Sequence, residues 1–142
     1  MLNFRKVSLA SSDGLDAEYT DDKENLQPFS QDRQTFIREK LDKWCEELGY
    51  KDTTVNMFTL PRSLNISKNE LPRYFTSCLN FTFRIWLAEV RFEAAKKMML
   101  DNPDFGNDII SAECGFSSRT HLYRMFKEKE GCSPTAWREK NC

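Results

Sequence analysis

The chain has 142 residues, five glycines, five prolines and a formal net charge of -1, enough for one domain with a core, or a smaller domain plus a tail. The charge is uneven: residues 1–52 carry 8 Lys+Arg against 12 Asp+Glu and residues 53–142 carry 13 against 10, so an acidic beginning masks a mildly basic remainder able to approach a polyanion. Cys45, Cys78, Cys114, Cys132 and Cys142 show no CxxC spacing and His121 is the single histidine, which excludes a zinc site and a disulfide framework as organising features. No apolar run approaches the roughly 20 residues of a membrane span, and residues 1–10 lack a signal-peptide core, so a reduced cytoplasmic setting is expected.

Residues 1–30 hold Ser11-Ser12-Asp13-Gly14 and an acidic stretch at 16–24 with few large apolar side chains; the expectation is a flexible acidic tail or linker. From residue 31 onward apolar residues recur every three or four positions, and the reading is all-α. Ser30 or Asp32 caps a first helix with Phe36, Ile37, Leu41, Trp44 and Leu48 on one face, closed by Gly49 in the left-handed conformation. A second, short helix lies within residues 55–64, and Ser67-Lys68-Asn69-Glu70 reads as a capping box opening a third. Residues 82–101 form the longest periodic segment, with Phe83, Trp86, Leu87, Val90, Ala94 and Met98 on one stripe, ending at Asn102-Pro103. A fifth helix over 108–114 is closed by Gly115, a sixth over 118–130 by Gly131, and Ser133-Pro134 opens a seventh.

One helical unit occurs twice. At an offset of 51 positions (118 minus 67), Ser67 meets Ser118, Lys68 meets Arg119, Leu71 meets Leu122, Arg73 meets Arg124, Phe75 meets Phe126, Thr82 meets Ser133 and Trp86 meets Trp137. With about 100° per residue, Leu71, Tyr74, Phe75 and Cys78 share an inward face while Asn69, Arg73 and Thr76 share the opposite one. In the later copy Leu122, Met125 and Phe126 turn inward, and Thr120, Arg124 and Lys127 outward. Each copy thus presents a polar stripe centred on an arginine, a side chain that donates to guanine edges or to phosphate. The expected architecture is a seven-helix domain over 31–142 with two helix-turn-helix, homeodomain-like units, at about 54–79 and 107–130, joined by a linker helix over about 82–102. About 20 linker residues span about 30 Å, close to the roughly 34 Å between successive major-groove faces.

The run Cys114-Gly115-Phe116-Ser117-Ser118-Arg119-Thr120-His121-Leu122-Tyr123-Arg124-Met125-Phe126-Lys127, followed by Gly131-Cys132-Ser133-Pro134 and Trp137-Arg138, resembles the signature of AraC/XylS-type transcription regulators. Phe83-Arg84-Ile85-Trp86-Leu87 and Arg91-Phe92-Glu93-Ala94-Ala95-Lys96 resemble that family's connecting helix. The resemblance implies no cofactor and promoter double-stranded DNA as partner, read in consecutive major grooves. Carried over by position, it assigns base reading to Arg119, Thr120, His121 and Arg124 in the second unit and to Lys68, Asn69, Pro72 and Arg73 in the first. Ser67, Thr76, Ser117, Ser118 and Lys127 are assigned to phosphate. Pro61 and Pro72 depart from the pattern and mark the first unit as the weaker reader, since proline inside a helix costs about 3 kcal/mol. Ser111 and Asn107 are departures expected to loosen the fifth helix.

Two other functional readings fit the same residues: an output domain whose ligand-sensing or dimerising partner domain lies elsewhere, and a helical protein-interaction module acting through a partner such as RNA polymerase. An enzyme is not indicated, because one histidine and scattered carboxylates provide no nucleophile and base at workable spacing, and no Gly-rich phosphate loop occurs.

Overall fold

A computed structural model describes residues 29–141; the expected tail, apart from residues 29 and 30, and Cys142 lie outside the described residues. These residues form seven α-helices, α1 Gln31–Glu46, α2 Thr59–Leu64, α3 Glu70–Tyr74, α4 Phe83–Asp101, α5 Asn107–Glu113, α6 Arg119–Glu130 and α7 Pro134–Asn141, and no strand. None of the helices is long and apolar enough to cross a membrane.

Helix α1 begins where Ser30 Oγ accepts from the Arg33 backbone N–H at 3.0 Å, satisfying one of the amides a helix start leaves unpaired. Its inward face carries Ile37, Leu41 and Cys45. The end differs from expectation: Leu48, not Gly49, takes the left-handed conformation (φ 65°), which swings Leu48 out to solvent. Gly49 is required for space, because a Cβ there would lie 2.2 Å from the Trp44 indole. Phe36 is likewise more exposed than its face predicts, with the Arg33 guanidinium 4.5 Å and the Lys40 ammonium 5.2 Å from its ring centroid.

Helix α4, 19 residues and so about 28 Å long, is the axis of the domain. Thr82 caps it by accepting from Ile85 N at 3.2 Å. The stripe expected to be apolar is inward, but Phe92, Ala95 and Met99 are buried as well, because both units pack on this helix from different sides. One aromatic cluster joins Phe75, Phe83, Trp86 and Trp44 on the first unit's side; the other joins Phe92, Phe126 and Trp137 on the second's. The internal repeat is visible in these clusters. Phe75 and Trp86 have ring centroids 5.3 Å apart at 58°, and their counterparts Phe126 and Trp137 are 5.6 Å apart at 56°.

Of the two departures thought to loosen α5, Asn107 instead ties it in. Asn107 donates to Thr135 Oγ1 at 3.1 Å and accepts from Arg138 Nη1 at 2.8 Å, fastening α5 to α7. Ser111 is buried, and its carbonyl accepts from Phe116 N at 3.0 Å.

Candidate nucleic-acid interface

Both units turn between their helices in the same way. A backbone amide reaches back five residues, Ile66 N to Pro61 O at 2.9 Å and Phe116 N to Ser111 O at 3.0 Å, and Asn65 and Gly115 supply the left-handed residue. These pairs are related by 50 positions (116 minus 66), whereas the cap serines are related by 51, so the first turn is one residue shorter than the second.

The second unit is regular. Ser118 Oγ accepts from His121 N at 3.1 Å and opens α6. With its lone pair used by that amide, the hydroxyl hydrogen remains available to an acceptor such as phosphate. Thr120, Arg124 and Lys127 lie exposed on one face, and neither cation has an ion-pair partner among the described residues. Arg119 lies beside them, its Nη1 3.0 Å from Asp108 Oδ1 with both side chains about 70% exposed. A solvated pair of this kind is held by less than about 1 kcal/mol, so Asp108 is readily exchanged for a nucleic-acid acceptor. Ser117 is exposed at the helix entrance. His121 differs from its neighbours: it is half-buried, its ring edge-on to Phe116 at 5.1 Å and its Nδ1 3.4 Å from Ser117 Oγ. Burial, then the charges of Arg124 and Arg91, hold its imidazole below the ordinary value.

Tyr123 is part of this face although the sequence reading passed over it. It is 48% exposed, and it stands one helical turn from Arg119, Thr120 and Lys127. Helical spacing alone places it there, although an aromatic ring is not one of the polar side chains that mark a nucleic-acid face.

The first unit keeps the same face with altered details. Ser67 Oγ accepts from Asn69 N at 3.2 Å, but the reciprocal half of the expected capping box is not formed. Glu70 is instead gripped by Arg33, with Nε to Oε2 at 2.6 Å and Nη2 to Oε1 at 2.8 Å. The same hydrogen bonds hold the Glu70 carboxyl below the usual carboxylate range. Lys68 and Asn69 are exposed. Pro72 is half-buried and is the third residue of α3; only one early ladder bond is lost there, so the penalty of an interior proline does not apply. Pro61 is likewise the third residue of α2. The irregularity lies at the other end, where Phe75–Leu79 forms a π-helical turn closed by Asn80 at φ 63°. Arg73 is not free: its guanidinium lies 4.4 Å from the Phe29 ring centroid. Thr76 is exposed, with its hydroxyl 3.3 Å from the carbonyls of Pro72 and Arg73.

Two units with arginine-bearing helices in equivalent positions can donate hydrogen bonds to base edges and phosphates. Among the described residues no group of His, Cys, Asp or Glu side chains could hold a metal ion. Burial pushes the Cys114 thiol up to about 12 and the Cys78 thiol up to about 11, which leaves both protonated and unreactive at neutral pH.

Comparison with known proteins agrees with this geometry. The helix-turn-helix domain family matches residues 60–140. The HTH-type transcriptional regulator RipA of Corynebacterium diphtheriae is 34% identical over 73 residues, which are 51% of this chain but 21% of RipA. The crystal structure of the AdpA DNA-binding domain, solved in complex with a target DNA, is 26% identical with a TM-score of 0.62, covering 73% of this chain and 90% of that one. The C-terminal domain of AraT, a response regulator from Geobacillus stearothermophilus, shares the fold at 19% identity and a TM-score of 0.64, over 81% of this chain and 89% of that one. The chain belongs to the AraC-type helix-turn-helix family of DNA-binding transcriptional regulators.

Proposed function

We propose that the two units read successive major grooves on one face of promoter DNA, with α6 as the principal reader and α3 as the adaptable one. The observation carrying this reading is the equivalence of the units about α4. The same Phe–Trp pair and the same cap hydroxyl recur in each, which supports two arginine-bearing helices carried in like fashion by a single helix of about 28 Å. Arg124, Arg119 and Thr120 read bases in this account, with His121 and Tyr123 at the margin. Lys68, Asn69, Pro72 and Arg73 form the corresponding set on α3. Ser67, Thr76, Ser117, Ser118 and Lys127 take phosphates. No catalytic step is assigned.

The test is selection of bound sites from random duplex DNA, followed by affinity measurements of Arg124→Ala and Arg73→Ala. Arg124→Ala is expected to cost about 1–3 kcal/mol and relax preference at one position. Arg73→Ala is expected to cost less, because its guanidinium must first leave Phe29. Unchanged affinity and base preference in both variants would refute the assignment.

The small share of RipA that the match spans, 21%, favours a second reading, in which this domain is the output module of a larger ligand-sensing or dimeric regulator. Sedimentation of the bound complex separates the two: one chain per selected site supports the monomeric reading, two chains the dimeric one.

A further inference from the structure

Between the two units lies an open cleft of about 590 Å³. Its walls come from the segment entering α2, the first turns of α4 and the start of α6, so each unit supplies one side. The polar lining is Asn56, Thr82, Arg84, Arg91 and His121 over an apolar floor that includes Phe116, and no carboxylate lines it. Two of these five groups are already committed, and His121 has its Nδ1 3.4 Å from Ser117 Oγ. Arg91 donates to Tyr50 O and Asp52 O, both at 2.9 Å, so it contributes charge rather than a contact. Asn56 Oδ1 accepts from Phe58 N and Thr59 N while its amide donates to Thr54 O. Two donors remain. Arg84 is exposed and has no ion-pair partner among the described residues. Thr82 uses a lone pair to cap α4, which leaves its hydroxyl hydrogen unassigned.

We propose that this cleft seats a backbone phosphate of the DNA, with Arg84 as its ion-pairing group and the Thr82 hydroxyl beside it. The inference rests on the groove reading above. If α3 and α6 occupy successive major grooves, the duplex presents its minor groove, with the two flanking phosphate chains, to the part of the protein between them. The cleft lies between the units, bordered by His121 of α6 on one side and by the segment leading into α2 on the other, and its charge is of one sign. An arginine facing phosphate there would tighten binding without reading sequence. His121 would respond as well. It faces Arg91 and Arg84 from α4, Arg124 on its own helix, and the uncharged Ser117, Phe116 and Asn56 from the neighbouring segments; a phosphate would offset the cations and favour the protonated ring.

The test is fluorescence anisotropy with a selected duplex and a scrambled duplex across a salt series, using the wild-type chain, Arg84→Ala and Arg84→Lys. Arg84→Ala is expected to weaken both duplexes several-fold and equally, and to flatten the slope of log K against log salt by about 0.9. Arg84→Lys is expected to keep most of the slope. Equal melting temperatures for the three proteins exclude a folding defect at this exposed site. An unchanged slope with Arg84→Ala overturns the proposal, and so does a loss confined to the selected duplex, which would make Arg84 a base reader. If inorganic phosphate shifts the NMR signal of His121 in the free chain while Arg84→Ala leaves DNA affinity intact, the cleft takes small anions and the proposal also fails. A wild-type chain that binds neither duplex would defeat the groove reading itself, and this site with it.

Discussion

Gly115 and Gly131 close α5 and α6 with similar positive φ, 87° and 76°, yet their substitutions should differ sharply. Alanine at either pays for the left-handed conformation, about 1–2 kcal/mol. At Gly131 that is the whole cost, because a Cβ there meets nothing within 4 Å. At Gly115 a Cβ would lie 2.2 Å from Tyr50 O and 2.7 Å from Arg91 Nε. The carbonyl belongs to the backbone of the turn Gly49–Lys51 and cannot swing aside as a side chain would. Relief requires that turn to move, and Arg91 then loses at least one of its two 2.9 Å bonds to it. Hydrogen bonds of a charged donor contribute about 1.5–3 kcal/mol each, so Gly115→Ala should cost about 2.5–5 kcal/mol against about 1–2 for Gly131→Ala. Urea unfolding followed by tryptophan fluorescence measures both. Equal losses within about 1 kcal/mol would refute the argument that Gly115 exists to let the second unit's turn approach the Tyr50 carbonyl.

Two further outcomes follow from the charged groups. A double-mutant cycle on Arg33 and Glu70, whose side chains are 42% and 18% exposed, should give a coupling of about 1 kcal/mol, modest because water screens the arginine. The folded Glu70 carboxyl is held below its unfolded value, so this contribution is present above about pH 4.3 and lost as pH falls through the folded value. His121 is held below the ordinary imidazole value by burial and by Arg124 and Arg91. The unfolded chain therefore takes up the proton first: the stabilisation is complete above about pH 6.5 and is lost as pH falls through the folded value. Because the chain has a single histidine, His121→Gln should flatten the change in melting temperature between about pH 7 and 5; parallel profiles for wild type and variant would contradict it.

Much of this was legible in the sequence, because the signals that stop and start helices are local. Ser30, Thr82, Ser118 and Ser133 each accept a backbone amide at the expected helix start, and the 51-residue repeat reappears as Phe–Trp pairs of nearly equal separation and tilt. Long-range competition hid the rest. Glu70 looked like the second half of a capping box until α1 brought Arg33 against it. Gly49 looked like a left-handed stop, but the Trp44 indole needed its empty side, and Leu48 took the strained conformation instead. The two prolines looked disruptive because sequence spacing does not reveal how few ladder bonds precede them. The π-turn at Phe75–Leu79 and the shorter first turn have no local signature that periodicity resolves. On the exposed face of α6, the outward placement of Arg124, Thr120 and Lys127 followed from about 100° per residue. The seating of Arg73 on Phe29 and of His121 on Phe116 depended on neighbours distant from the helix pattern.

Whether a single chain uses both units on one face of the duplex is decided by hydroxyl-radical footprinting on a selected site. Two protected patches are expected about one helical turn apart on the same face, about 10–10.5 base pairs centre to centre, with the patch under α3 weaker and lost first as salt rises. A single patch under α6 at saturating protein, or two patches on opposite faces, would contradict it.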